Sequence, residues 1–156
     1  MYQIMVNSGR PEVSHGERKS IWQAALDALS EGDIDQVVNQ FADQFTFTDH
    51  ALWIEFKEKN RLQEYFVKIR EFFPESERTN RAFFSVGDVI INEWTLAATV
   101  SEPFLYGRPL KVKIEAHGVS VVRVSNGRIV EWSEYYDQVR SRHYRVAGQF
   151  SDWCEL

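Results

Sequence analysis

An alternating stretch closed by a tight-turn signal constrains the fold of this chain more than any other feature. Residues 110–124 alternate in polarity, which is the period of a β-strand with one buried face. Ser125-Asn126-Gly127 follows, and residues 128–137 alternate again. Asn-Gly between two such runs predicts a β-hairpin, because both residues tolerate the positive φ angles that the turn requires. The C-terminal half is therefore expected to be an antiparallel sheet.

Helix signals occupy the N-terminal part. Ser14 and Glu17 form a capping-box pattern, which predicts a helix with apolar residues at helical spacing. Gly32 is suited to end that helix, and Asp33 is suited to begin a shorter one. The apolar side of the second helix is expected to consist of Ile34, Val37, Val38 and Phe41.

The order of the remaining signals indicates the fold class. A third helix is predicted over 60–73, with Asn60 as its cap and Pro74 as its stop. Further strands are expected at 45–49, 80–86 and 88–100, with a turn at 101–109. Helices first and an antiparallel meander afterwards indicate an α+β fold, with the helices on one face of a curved sheet. Residues 15–140 are expected to form a single domain, between a flexible arm (1–14) and a C-terminal tail (141–156).

Three of the predicted strands place a polar side chain on an apolar face. In the stretch 45–53, FTFTDHALW, Asp49 has the parity of two core phenylalanines. By the same alternation Ser120 lies on the buried face of 110–124, and Glu134 lies beside a tryptophan in the last strand. An isolated buried charge is costly, and desolvation raises the pKa of a carboxyl group. A carboxyl group raised toward neutrality is a useful general acid or base.

These three positions together predict a polar spot inside an apolar cavity, which is the usual form of a small-molecule site. Aromatic residues make up 14% of the chain and could line such a cavity. The expected lining residues are Trp22, Tyr65, Phe66, Trp94, Trp132 and Tyr136.

Structural explanations remain open for the same residues. Asp49 could cap the following turn by accepting backbone N–H groups around Ala51 and Leu52. Glu134 could pair with an arginine or lie at a wet rim, and Ser120 could be a satisfied core hydroxyl. The six aromatic residues could simply fill the core.

Composition excludes several other classes of protein. A net charge of −5 argues against a broad nucleic-acid surface, and no stretch is long and apolar enough to span a membrane. Cys154 stands alone, so neither an internal disulfide nor a cysteine metal site is expected. No secretory signal is visible, and a cytoplasmic location is expected. The four histidines lack ligand spacing; His117 falls on the outer sheet face, and His50 has rim or surface parity.

A basic cluster near the C-terminus has two explanations. It is either a solvated helix end or tail, or an anion site. The cluster consists of Arg140, Arg142, His143, Tyr144 and Arg145.

Three segments resemble the nuclear transport factor 2-like superfamily, in its SnoaL-like branch of polyketide cyclases and ketosteroid isomerase-like proteins. They are ALSEGDIDQVVNQFADQFTFTD (28–49), FKEKNRLQEYF (56–66) and SVVRVSNGRIVEWSEYYD (120–137). The resemblance implies a cone-shaped α+β half-barrel with a deep pocket, commonly dimeric through its sheet. The superfamily hosts many reactions, so the resemblance specifies a fold more closely than an activity.

The resemblance also implies roles for the three polar residues. Asp49 matches the proton-transferring aspartate of ketosteroid isomerase, and Glu134 matches an acid–base aspartate of the cyclases and limonene-epoxide hydrolase. Ser120 stands where ketosteroid isomerase has an aspartate and the cyclases have a histidine. Ala25 replaces the isomerase's oxyanion tyrosine, and TLAATV (95–100) lacks the arginine and second aspartate of the epoxide hydrolase.

Two functions follow as hypotheses. The first is a cofactor-independent isomerase, cyclase or lyase acting on an apolar cyclic carbonyl compound. In it Asp49 abstracts the α-proton, Glu134 donates or relays a proton, and Ser120 binds the oxyanion. The second is a non-catalytic module for ligand binding or dimerisation, which the departures at Ala25 and Ser120 favour.

A protein-interaction scaffold is a weaker third hypothesis. It would use apolar residues of outer parity, which we assign instead to a homodimer interface. These residues are Val119, Val121, Ile129 and Tyr135.

Overall fold

The computed structural model describes residues 14–105 and 108–137. Within them three helices and six strands follow one another along the chain, in an α+β arrangement that confirms the predicted fold class. The elements are α1 (His15–Glu31), α2 (Ile34–Asn39), β1 (Phe41–Asp49), β2 (Ile54–Phe56), α3 (Lys59–Phe72), β3 (Glu77–Val86), β4 (Val89–Leu105), β5 (Arg108–Ser125) and β6 (Arg128–Tyr136).

The six strands form one curved, open sheet in the order β2-β1-β6-β5-β4-β3. All neighbouring pairs are antiparallel except β1 and β6, which are parallel. The predicted hairpin joins β5 to β6, with φ of 51° at Asn126 and 73° at Gly127. Such angles at both turn residues follow the right-handed twist of the two strands.

The helix boundaries follow capping chemistry. The Ser14 hydroxyl accepts a hydrogen bond from the Glu17 N–H at the start of α1, and Gly32 ends that helix at φ 78°. Asp33 accepts from the Gln36 N–H at the start of α2, as predicted. The predicted cap of α3 is wrong: that helix begins one residue earlier, and its N-cap is Glu58, without a side-chain bond.

Buried side chains attach α1 to the sheet. The Trp22 indole N–H donates to Asn92 Oδ1 on β4 over 3.3 Å, and its ring packs edge-on against Trp132 at 4.6 Å. The Asn92 amide donates in turn to the carbonyl of Ala82, where the pairing of β3 with β4 shifts register. Asn92 is therefore a fully satisfied core amide that holds a helix and two strands together.

Three expected boundaries were wrong. Phe41 belongs to β1 rather than to the apolar side of α2, and the three-residue strand β2 was not predicted. The expected turn at 101–109 is largely strand, because β4 continues to residue 105 and β5 begins at residue 108.

A bulge in the closing hairpin corrects one surface assignment. Arg123 pairs with Glu131 and Val124 pairs with Ile129, so Val130 is the extra residue on β6. The bulge reverses the parity on either side of it and buries Ile129 completely. Ile129 therefore belongs to the core, and it does not contribute to an outer apolar face.

Some sequence predictions concern residues outside the described part of the chain. They are the N-terminal arm before residue 14, the C-terminal tail, Cys154 and the basic cluster at 140–145. Within the described residues, no helix has the length and apolar character needed to cross a membrane.

Candidate functional site: two buried carboxylates beside a cavity

Asp49 is the last residue of β1, and its carboxylate is 1% exposed. Its Oδ1 atom accepts the backbone N–H groups of Ala51 and Leu52, each over 3.0 Å. Its Oδ2 atom accepts the hydroxyl groups of Tyr65 and Tyr136 over 2.8 and 3.0 Å. The turn-capping contacts weighed from the sequence are thus present, together with two tyrosine contacts that the sequence did not reveal.

Burial dominates the electrostatics of this carboxyl group. Desolvation raises the pKa of Asp49 above its ordinary value, and the negative charge of Glu134 adds to the effect. The hydrogen bonds from Tyr65, Leu52 and Tyr136 lower this pKa but offset the desolvation only in part. Desolvation and the nearby Asp49 charge likewise raise the pKa values of both tyrosines, so the two hydroxyls remain donors.

Glu134, on β6, is 6% exposed and lies among donors. Its Oε1 atom accepts the Trp132 indole N–H over 2.7 Å and an Arg78 guanidinium N–H over 3.1 Å. Its Oε2 atom accepts the Trp94 indole N–H over 3.1 Å. The Ser120 hydroxyl lies 2.9 Å from both carboxylate oxygens. The arginine partner considered for Glu134 is therefore Arg78.

Ser120 is completely buried, and its hydrogen-bonding capacity is fully used. Its single O–H donates to Glu134, while its oxygen accepts from Arg78 over 2.6 Å and from Trp94 over 3.0 Å. A serine hydroxyl has one proton and two acceptor sites, so no capacity remains for a further partner.

Strand register brings the three polar residues together. Asp49 of β1 is the register partner of Glu134 of β6, and Glu134 is the register partner of Ser120 of β5. The three side chains consequently lie in one row across three adjacent strands, on the face that carries the core. Alternation in the sequence predicted their common face; their catalytic roles remain predictions.

Arg78, on β3, was not singled out from the sequence. Its guanidinium carbon lies 4.5 Å from the centre of the Trp94 ring, and its side chain is 18% exposed. The strand that carries it shows no regular alternation of burial, and three charged residues precede or follow it at 75, 77 and 81. That pattern is typical of a solvated edge, so the sequence offered no sign that one arginine turns inward.

Gly118 creates the space that Trp94 occupies. A Cβ atom at this position would lie 2.7 Å from the Tyr135 carbonyl oxygen, and it would also collide with the Trp94 ring. The absence of a side chain at residue 118 therefore lets the indole reach Ser120 and Glu134.

A cavity of about 440 Å³ reaches this cluster at Arg78, whereas Asp49, Ser120 and Glu134 do not line it. Its walls come from α1, the start of α2, the end of α3 and the strands β3 and β4. Apolar side chains such as Leu26, Phe66 and Leu96 line it together with Arg78. Arg78 is thus part of the cavity wall and at the same time a direct partner of Glu134 and Ser120.

The six aromatic residues expected at a pocket have different surroundings. Phe66 lines the cavity. Tyr65 and Tyr136 bond Asp49, Trp94 and Trp132 bond Glu134, and Trp22 packs against Trp132. For these five residues contact with a ligand remains a prediction.

Two described histidines have side-chain partners other than Asp49 and Glu134. His50 stacks on Tyr135 with ring centres 4.2 Å apart, and His117 is exposed and pairs with Glu115. Among the described residues, no group of three or more His, Cys, Asp or Glu side chains is placed to hold a metal ion.

Comparison with known proteins identifies the architecture. The model of the SnoaL-like domain matches residues 22–132. No curated protein matches the sequence. Many solved structures share the fold.

Three of these structures illustrate the range. A protein assigned as a SnoaL-like polyketide cyclase from Jannaschia sp. CCS1 aligns with a TM-score of 0.72 at 15% identity, over 87% of this chain and 95% of its own. A nuclear transport factor 2-like protein from Burkholderia thailandensis E264 aligns with a TM-score of 0.67 at 17% identity, over 81% of this chain and 95% of its own. An LEH-like epoxide hydrolase from M. tuberculosis aligns with a TM-score of 0.63 at 20% identity, over 78% of this chain and 79% of its own. At these identities the likeness concerns the fold alone.

Proposed function

The chain belongs to the SnoaL-like domain family, and we propose that it binds a small apolar carbonyl compound and moves a proton at the carbon beside the carbonyl. The observation that carries this proposal is the pair of buried carboxylates, Asp49 and Glu134, side by side on β1 and β6. Two such groups in an aromatic core are costly to bury. A cavity whose wall includes Arg78, the ion-pair partner of Glu134, supports a use for them beyond folding.

Asp49 is the proposed base. Its raised pKa brings its proton affinity closer to that needed for catalysis near neutral pH. In the step, the α C–H bond breaks and its proton passes to Asp49. The bonding electrons form a carbon–carbon double bond, and the carbonyl oxygen becomes an enolate oxygen. When the substrate has a carbon–carbon double bond beside the α-carbon, return of the proton to the far carbon of that double bond completes an isomerisation, and no cofactor is required.

Access to Asp49 depends on one of its present partners. The Asp49 carboxylate accepts four hydrogen bonds, which occupy its lone pairs. It can take a proton from a substrate only after one of these four donors moves away. Tyr136 lies at the end of β6 and is only half-buried, whereas Tyr65 is buried. Tyr136 is therefore the donor that we expect to swing away when a ligand binds.

A binding module without chemistry is the second candidate. It is favoured by the same four hydrogen bonds, since a carboxylate that caps a turn and ties down two tyrosines already has a structural role. Under this alternative Asp49 holds the cavity in shape and never contacts the ligand.

Proton exchange in deuterated water separates the two candidates. The probe is 2-tetralone, an apolar bicyclic ketone with acidic α-protons, and NMR follows the replacement of these protons by deuterium. We expect the protein to accelerate exchange over buffer and the Asp49→Asn variant to lose the acceleration. Asp43→Asn, which removes an exposed carboxylate from the same strand, is the matched control and should exchange like the parent. An active Asp49→Asn variant would refute the role of Asp49, and binding without acceleration in the parent would support the binding module.

We further propose that the protein is a homodimer through the outer face of its sheet. Val121 pairs across the strands with Ile91, and Ile91 pairs with Phe84. With Val119 and Tyr135 these residues form a contiguous outer face of apolar and aromatic character. Phe84 is 58% exposed and Tyr135 46% exposed, which is unusual for large side chains of this kind.

A further inference from the structure

We propose that Arg78 donates the hydrogen bond that holds the carbonyl oxygen of the ligand, and that the ligand is uncharged. This inference rests on the proposed binding of a small molecule in the cavity. Arg78 lies on β3 rather than on the strands that carry the other polar residues, and the family resemblance assigns it no role.

Ser120 cannot fill this role in the geometry observed. Its only proton is donated to Glu134, and both of its acceptor sites are taken by Arg78 and Trp94. A ligand oxygen would have to displace Glu134 to receive that proton. The donor for a developing negative charge must therefore come from elsewhere.

Arg78 has hydrogen-bond donors that the observed contacts do not use. A guanidinium carries five N–H groups, and the hydrogen bonds to Glu134 and Ser120 use two of them. Its Nε atom is buried without a hydrogen-bond partner among the described residues, and each terminal nitrogen has one further N–H group beyond these two bonds. Glu134, Ser120 and the Trp94 ring fix the orientation of the side chain, so a ligand would meet a preorganised donor in the cavity wall.

The surrounding charges favour a neutral ligand. Glu134 already balances the charge of Arg78, and Asp49 lies next to Glu134. Farther out, Asp27 and Glu77 line the cavity beside Arg70. Two arginines thus face at least three carboxylates, so a carboxylate ligand would find no surplus of positive charge, whereas a neutral carbonyl would only accept a hydrogen bond.

Three probes of almost equal shape test the inference: acetophenone, α-methylstyrene and benzoate. The first two differ in having C=O or C=CH₂, and the third carries a negative charge. Affinities are measured by NMR titration of the full chain. Because a hydrogen bond to a charged donor is among the stronger ones, we expect acetophenone to bind at least about tenfold more tightly than α-methylstyrene.

Two variants assign this preference to a residue. Arg78→Met combined with Glu134→Gln removes both charges of the ion pair at once and avoids leaving either one buried alone. In this double variant the two neutral probes should bind within about twofold of each other. Arg70→Met is the matched control, because Arg70 also lines the cavity but makes its observed bond to the Leu29 carbonyl; the preference should persist in it.

Four results would contradict these expectations. Equal affinities of the neutral probes for the parent would overturn the inference, as would a preference that survives in the double variant. Tighter binding of benzoate than of acetophenone would overturn the assignment of a neutral ligand. Failure of all three probes to perturb the cavity residues would overturn the proposed function, and the inference with it.

Discussion

Replacement of Asp49 by asparagine should leave stability at neutral pH unchanged or increase it. The amide has the size of the carboxyl group, and its oxygen can accept the N–H groups of Ala51 and Leu52. Its NH₂ group can donate to the hydroxyl oxygens of Tyr65 and Tyr136, so each pair keeps one hydrogen bond, although the two hydroxyl protons lose the carboxylate as their acceptor. A poor fit that orphaned one donor would instead cost about 1–3 kcal/mol.

The difference in unfolding free energy between this variant and the parent depends on pH, and the pKa of Asp49 fixes the direction of that dependence. The pKa of Asp49 is raised in the folded state, so ionisation destabilises the fold. The contribution of the protonated group is fully present below the unfolded pKa, near 3.8, and is lost as pH rises through the folded pKa. Each unit by which the folded pKa exceeds the unfolded one costs the parent about 1.4 kcal/mol above this window. An asparagine side chain at position 49 does not titrate, so the variant does not lose this free energy as pH rises.

Urea unfolding at intervals from about pH 4 to about pH 8 measures the effect, with Asp43→Asn as the control for loss of one exposed carboxylate. The free energy of unfolding of Asp49→Asn should rise relative to the parent as pH increases and then level off. If it falls instead, or if the variant loses about 3–5 kcal/mol at neutral pH, Asp49 stabilises the fold as an anion. The reasoning from desolvation would then be refuted, and the binding module would be the better account.

Three further predictions concern other parts of the molecule. Arg78→Met and Glu134→Gln should each lower the free energy of unfolding in urea by about 3–5 kcal/mol. The double variant should lower it by less than the sum of the two, and additive losses would contradict a buried ion pair. Gly118→Ala should cost about 1–3 kcal/mol in the same assay and shift the Trp94 indole N–H resonance, and an unchanged melting curve would show that the strand adjusts freely. Val121→Lys should convert a dimer into a folded monomer on sizing at micromolar concentration, whereas a parent that is already monomeric would exclude the proposed interface.

Alternation in the sequence was sufficient to find the carboxylates. Asp49, Ser120 and Glu134 were selected by parity alone, and the structure buries all three because each strand keeps its period around them. Parity failed at Ile129, where the bulge at Val130 shifts the strand by one residue and exchanges its faces. Nothing in the local sequence marks that bulge.

The hydrogen bonds that join Arg78 and Tyr136 to the carboxylates could not be predicted from the sequence. Arg78 lies on a strand without alternation, and its inward direction depends on Glu134, which is 56 residues away. Tyr136 meets Asp49 across 87 residues, through the parallel pairing of β1 with β6. Long-range pairing of this kind fixes which side chains meet, and it leaves no periodic signal in either segment.

A structure of the Asp49→Asn variant with bound 2-tetralone would test the central claim most directly, because this variant should bind the ketone without exchanging its protons. The account predicts the α-carbon in contact with the amide at position 49, the carbonyl oxygen on the Arg78 guanidinium, and Tyr136 displaced. A ketone held among Leu26, Phe66 and Leu96, with Tyr65 and Tyr136 still closed over position 49, would contradict it.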